Sequence, residues 1–278
     1  MAEWQSGSVD ANGVTIHYTR TGGSGPVVVL AHGVTDNGLC WSPLARELEQ
    51  DYDLIMVDAR GHGKSDGPVG SYGPDVQAED LAALITALGL EQPAVLGHSM
   101  GAGTALVLAG KHPDLVGSIL LEDPPAWWTE WYDTPEARDL VEGMKARALS
   151  YKHMTRDEIV AAGQEGHRGW SDAEMQPWAD SKIDFSPNVL VVFEPNNRAN
   201  VDWPATLGAI TCPVLLMMAD ADRGGIITQD RADALRALAP QTEVAYIAGA
   251  GHNIRREQFG PYVAVVREFL ARHTGAGA

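Results

Sequence analysis

The nine residues from Val95 to Gly103 read VLGHSMGAG. Ser99 stands at their centre, with Gly97 two residues before it and Gly101 two residues after. In a chain with 30 glycines that spacing alone says little. The flanks say more. Pro93 to Gly97 is a short apolar run that predicts a buried strand, and from Met100 the sequence turns helical. A serine at such a strand-to-helix corner sits on a sharp turn that pushes its hydroxyl out from the sheet edge. Glycines on both sides remove side chains where strand and helix come close. The first amides of the following helix face the same point, which favours a developing negative charge. A Gly/Ser turn without chemistry is the competing reading, and the flanks argue against it.

Outward from this corner, the same alternation recurs. The opening SVDANGVTIHYTRTG alternates around Asn12-Gly13 and predicts a hairpin with a primed turn. PVVVLAHG (26–33), YDLIMVDARGHG (52–63), PAVLGHS (93–99) and VGSILLEDPP (116–125) predict strands buried on both faces, as in a parallel sheet. Helical segments lie between them. From Pro124 to about Leu207 the short apolar strands disappear. Charges, helix formers and six of the eight tryptophans take their place. CPVLLMMAD (212–220) and TEVAYIAGAGH (242–252) then restore the strands, each followed by a helix. The pattern predicts an α/β fold with a mostly parallel central sheet flanked by helices. Residues 1–123 and 208–278 form the expected core, and 124–207 a helical cap, or lid, inserted after the sixth strand.

A serine hydroxyl needs a base, and the base needs a carboxylate to orient it. Of nine histidines, His252 follows the last predicted strand, at the carboxyl edge where catalytic groups of α/β sheets gather. His98 reads as packing or bracing the turn, and His153 and His167 as surface residues of the cap, with lining the pocket as the alternative. The acid is expected at Asp222, the last residue of LLMMADAD and just beyond the strand, with Asp123 second and Asp220 third.

Composition narrows the class. The net charge of −17 disfavours nucleic acid and anionic membrane as partners. No run of 18 apolar residues suggests a membrane span, and the first residues do not resemble a secretory signal. Cys40 and Cys212 form neither a metal spacing nor a disulfide framework. A cytoplasmic setting is the expectation; the oligomeric state is left open.

The ordered blocks AHG (31–33), DARGHGKSD (58–66), GHSMG (97–101), LEDPP (121–125), LLMMADAD (215–222) and GAGHNI (249–254) resemble the α/β-hydrolase superfamily over nearly the whole chain. The resemblance is to capped serine esterases and lactonases of this fold, acyl-homoserine lactonases included. It implies an oxyanion hole formed by the Val34 and Met100 amides. It also implies a structural role for His32, Asp58 and His62. Two departures are small. Ala219 stands where many relatives have glycine, and Ala102 intervenes before Gly103. After Asp222 the chain reads RGGIIT rather than a proline-containing loop. Serine at position 99 argues against haloalkane dehalogenases and epoxide hydrolases, which use a carboxylate there.

The expected activity is therefore hydrolysis of a small-molecule carboxylic ester or lactone, with no metal or organic cofactor. Ser99, His252 and Asp222 act as triad, and Trp127, Trp128 and Trp131 line an apolar acyl pocket. The alternatives are cofactor-free perhydrolysis or haloperoxidation with the same triad, and a small-molecule receptor on the same scaffold.

Overall fold

The computed structural model describes residues 3–167, 169–197 and 200–275. Eight strands form one sheet in the order β1-β2-β4-β3-β5-β6-β7-β8. β1 (Gln5–Ala11) and β2 (Val14–Arg20) make the predicted hairpin. Asn12 and Gly13 carry its turn at φ 50° and 78°, the left-handed backbone that a primed turn demands. β2 also pairs antiparallel with β4 (Asp53–Val57). The remaining strands run parallel: β3 (Val27–Ala31), β5 (Ala94–His98), β6 (Ser118–Glu122), β7 (Val214–Met218) and β8 (Thr242–Tyr246).

The continuous apolar runs follow from burial on both faces. β4, β5, β6 and β7 are buried at every position. Along β4, Ile55 and Val57 face one core with Leu84 and Ile85 of α2 (Pro74–Ala87) and Leu106 of α3 (Met100–Lys111). Leu54 and Met56 face the other, with Leu44 and Leu48 of α1 (Ser42–Leu48). Phe269 and Leu270 of the C-terminal helix, Phe259–His273, complete that layer. Each such side chain contributes roughly 1.5–3 kcal/mol by leaving water. Cys40 and Cys212 are both buried free thiols. Among the described residues no helix is long and apolar enough to cross a membrane.

β3 connects to β4 on one side of the sheet, while β5 lies on its other side. The carboxyl ends of β3 and β5 therefore flank the point where strand order reverses, the usual crevice for a ligand. After β6 come α4 (Pro135–Tyr151), α5 (Arg156–Gly166) and α6 (Asp172–Asp184). Thr134, Thr155 and Ser171 cap these three helices by accepting the Ala137, Glu158 and Glu174 amides, each such cap contributing about 1 kcal/mol. α7 (Trp203–Gly208) returns the chain to β7. α8 (Gln229–Leu238) joins β7 to β8, and a short helix α9 (Ile254–Glu257) precedes the last helix, α10.

Candidate active site

Ser99 directly follows β5 and starts α3 at φ 49° and ψ −114°. A non-glycine residue holds such a conformation only at a cost of about 1–3 kcal/mol. The surroundings impose it. A Cβ on Gly97 would lie 2.4 Å from the Gly101 carbonyl carbon, and one on Gly101 would lie 2.2 Å from the Ala31 oxygen. Strand, turn and helix thus meet backbone to backbone, which explains the glycine spacing. The Ser99 amide donates to the Glu122 carbonyl at 2.9 Å, anchoring the corner to β6.

Asp123 lies one residue past β6, beside this corner, and also has positive φ, 40°. Its carboxylate is fully buried. It accepts the Ile226 amide at 2.8 Å, the Ile227 amide at 2.9 Å and the His252 Nδ1–H at 2.7 Å. His252 is therefore oriented by Asp123, and the expectation for Asp222 is corrected. Asp222 is exposed, in a 3₁₀ turn at Ala221–Arg223. Asp220 is occupied elsewhere, accepting from the Tyr246 hydroxyl and from the Gly249 amide at 2.9 Å. The physical reason lies in RGGIIT. This loop curls back from β7 over the end of β6, and two of its N–H groups, which a proline would lack, close on Asp123.

Burial would lower the His252 pKa, but the hydrogen bond and charge of Asp123, with Glu122 and Asp36, outweigh it and raise the ring above 6.5. His98 is held neutral, well below 6.5, first by burial and then by the neighbouring His252. Its Nε2 bonds the His252 carbonyl at 3.0 Å, so it braces the base's own backbone. Glu122 ties the same loop from below. It accepts the Arg255 amide at 3.0 Å and the Tyr262 hydroxyl at 3.1 Å.

The candidate oxyanion donors lie across from this pair. Gly33 to Asp36 form a turn closed by the Asp36 amide on the Gly33 carbonyl at 3.1 Å. Met100 is the first residue of α3. Among the described residues no acceptor takes the Val34 or Met100 amide hydrogen. His32 and His62 shape the turn. The His32 Nδ1 donates to the Gly33 carbonyl at 2.8 Å, and the His62 Nε2 accepts the Thr35 amide at 3.1 Å. Burial drops His62 to about 3, so it stays neutral and can accept.

Two unequal cavities meet at Ser99. The larger, about 230 Å³, is bounded by Ser99, His252 and the Gly33–Asp36 turn on one side. Arg147, His167, Trp170, Trp178, Lys182 and Arg256 close the other. The smaller, about 30 Å³, is apolar and lined by Trp127, Trp131, Tyr132, Val192 and Phe193. Val34 and Ser99 border both. Trp127 and Trp131 thus reach the site as expected, whereas Trp128 lines neither cavity and donates its indole N–H to the Arg231 carbonyl at 3.1 Å. His167, expected at the surface, stacks on Trp170 with ring centroids 4.0 Å apart inside the larger cavity. Burial lowers it to about 4. The larger cavity also carries cationic side chains, where an apolar wall was expected. Those charges sit on α4, α6 and α9 and read in sequence as solvated helix faces. Only Arg256, four residues after His252, carried a positional hint.

Residues 26–255 match the alpha/beta hydrolase fold family. The chain belongs to that family. It is 32% identical over 275 residues to N-formylmaleamate deformylase of Pseudomonas putida, covering 95% of this chain and 96% of the relative. It is 30% identical over 256 residues to 2-(acetamidomethylene)succinate hydrolase of Mesorhizobium japonicum, covering 88% of each. The crystal structure of N-formylmaleamic acid deformylase from Pseudomonas putida S16 superposes with a TM-score of 0.78 at 25% identity, covering 94% of this chain and 100% of the other. The chain is thus a hydrolase of this family.

Proposed function

We propose that this hydrolase removes a short acyl group from a small substrate that carries a carboxylate, cleaving an acyl C–N or C–O bond through an acyl-enzyme on Ser99. The observation that carries this reading is the pair of unequal cavities at the serine. One of about 30 Å³ has room for little more than a water-sized group, which suits a formyl hydrogen or an acetyl methyl better than a long acyl chain. The larger cavity presents cations. Lys182 and Arg256 are already paired with Asp36 at 2.7 and 2.9 Å. Arg147 has no carboxylate partner among the described residues, and its fork matches a carboxylate in a bidentate pair. The names of the two relatives support the same chemistry. One removes a formyl group from a maleamate; the other hydrolyses an acetamido derivative of succinate.

This reading takes the reaction through the following steps. The Asp123 carboxylate holds the His252 proton on Nδ1, leaving Nε2 as the base. Ser99 Oγ attacks the acyl carbonyl and gives its proton to Nε2. The carbonyl oxygen becomes an oxyanion against the Val34 and Met100 amides. The C–N or C–O bond breaks as the leaving group takes the proton from His252. Water then gives a proton to Nε2 and attacks the acyl-serine; the bond to Ser99 breaks as Oγ takes that proton back from Nε2, releasing the short acid and restoring Ser99 and His252.

The test sets N-formyl and N-acetyl amides of small dicarboxylates, and their matching esters, against neutral and long-acyl counterparts. Acid release is followed with wild type and Ser99→Ala. The expected result is Ser99-dependent release, with kcat/KM highest for short-acyl, carboxylate-bearing substrates. A preference for long neutral esters or lactones would overturn the substrate class.

A further inference from the structure

The oxyanion turn is held from a direction its own sequence does not reveal. Thr35 sits in it at φ 67°, a left-handed conformation that a β-branched residue strongly resists. Its backbone is gripped at both ends. His62 accepts its N–H at 3.1 Å, and Lys182 Nζ donates to its C=O at 3.0 Å. Lys182 also donates to Asp36 Oδ1 at 2.7 Å. Asp36 in turn accepts Arg256 Nη2 on its other oxygen at 2.9 Å, and Arg256 Nε reaches Glu174 at 3.2 Å. All four side chains are nearly inaccessible. Two anions and two cations so placed neutralise each other, and removing one leaves a buried charge without its partner. The cluster joins three parts of the site. Asp36 belongs to the oxyanion turn, Glu174 and Lys182 to α6 between β6 and β7, and Arg256 to α9 just after His252.

We infer that Lys182 is a positioning residue for the oxyanion hole: seated on α6, it fixes the Thr35 carbonyl and Asp36, and with His62 on the Thr35 N–H so holds the turn that directs the Val34 N–H. The turn's strained conformation then depends on a contact from the inserted helices. Stabilisation of the transition state depends on α6 being in place, although Lys182 need not touch the substrate. The inference rests on the hydrolase reading above.

Its test separates positioning from direct recognition of a substrate carboxylate. Lys182→Ala and Lys182→Met are assayed on two short-acyl substrates, one with a carboxylate and one neutral, such as phenyl acetate. Positioning predicts a kcat loss on the order of 10²-fold, the scale of one oxyanion donor, equal for both substrates and with KM nearly unchanged. Affinity for a trifluoromethyl ketone, which forms the oxyanion on Ser99, should fall by the same factor. Because Lys182 borders the larger cavity, propylammonium should restore part of the kcat of Lys182→Ala in a saturable way. If the alanine variant does not fold, the methionine variant, whose stem fills much of the same space, decides on both substrates. A loss confined to the carboxylate substrate, or appearing in KM alone, would overturn the inference, as would full activity. A wild type with no Ser99-dependent turnover of either substrate would overturn the hydrolase reading and this inference with it.

Discussion

Replacing Asp123 by asparagine should cost far more than its one-atom change suggests. All three partners of this carboxylate are donors: the Ile226 amide, the Ile227 amide and His252 Nδ1. Asparagine offers one acceptor oxygen and one NH₂ group. If the oxygen stays on the Ile226 and Ile227 amides, the NH₂ faces His252. The ring then accepts on Nδ1 and carries its proton on Nε2, where it cannot take the Ser99 proton. If the side chain flips, the NH₂ faces two backbone donors in a site without water access, leaving buried donors unpaired at roughly 1–3 kcal/mol. The first arrangement gives the wrong tautomer, for which a triad loses about 10⁴-fold in kcat, on the order of 5 kcal/mol of transition-state stabilisation. Asp222 is exposed and outside this network, so Asp222→Asn should stay within about twofold of wild type, as surface changes do. Acid release under saturating substrate, with urea midpoints to confirm folding, measures both variants. A severe loss in Asp222→Asn together with a tenth or more of the activity in Asp123→Asn would refute the assignment.

Three further outcomes are expected. The base must be neutral to accept a proton, and its pKa is raised in the folded protein; kcat/KM should therefore fall as pH drops through a value above 6.5, and a rate flat down to pH 5 would contradict the role of His252. Arg147→Met should raise KM for carboxylate-bearing substrates by about 10- to 100-fold, the 1.5–3 kcal/mol of a charged hydrogen bond, and leave KM for neutral substrates unchanged. Burial lowers His32, His62 and His98, His62 to about 3, so each binds a proton more readily unfolded than folded; stability should be full above pH 6.5 and lost as pH falls below it, by about 1.4 kcal/mol per pH unit for each histidine. His252, shifted the other way, adds stability only as pH falls toward 6.5 and no more below it, so a urea midpoint that rose between pH 6.5 and 5.5 would count against the neutral histidines.

The sheet was legible because burial on both faces leaves an unmistakable pattern, uninterrupted apolar runs of about five residues ending in glycine or aspartate. The Ser99 corner and His252 were legible because both stand at ends of such runs. The acid was not decided by that signal, since Asp123 and Asp222 each follow a strand. What chose between them is the path of the loop after β7, whose amides at Ile226 and Ile227 turn toward β6. Nothing in local propensity encodes that path. The cationic side of the cavity was hidden for another reason. Arg147 and Lys182 lie on helices whose register against the sheet is set by tertiary packing, and a lysine facing a cavity looks in sequence like one facing water. Asp36 and Lys182 are 146 residues apart in the chain.

The distribution of backbone strain supports the same site independently of any side-chain chemistry. Among the described residues, five that are not glycine have positive φ: Asn12, Thr35, Gln92, Ser99 and Asp123. Asn12 lies in the hairpin turn and Gln92 in the connection before β5, where such angles are ordinary. The other three follow the carboxyl ends of β3, β5 and β6, next to one another in the sheet. At about 1–3 kcal/mol each, this strain takes up a sizeable share of the 5–15 kcal/mol by which a domain is stable. A turn chosen only for folding would use glycine at such positions. At Ser99 and Asp123 glycine would remove the hydroxyl and the carboxylate, so the cost persists where the chemistry needs a side chain. At Thr35 no such argument applies, because its side chain has no part in the reaction described. Its conformation is explained by what holds its backbone, His62 on the N–H and Lys182 on the C=O. Both bonds run to backbone atoms that glycine keeps, so Thr35→Gly should raise stability or leave it unchanged while kcat stays within a few-fold of wild type. A glycine variant that lost as much kcat as Lys182→Ala would mean that the threonine side chain, and not the clamp on its backbone, sets the turn.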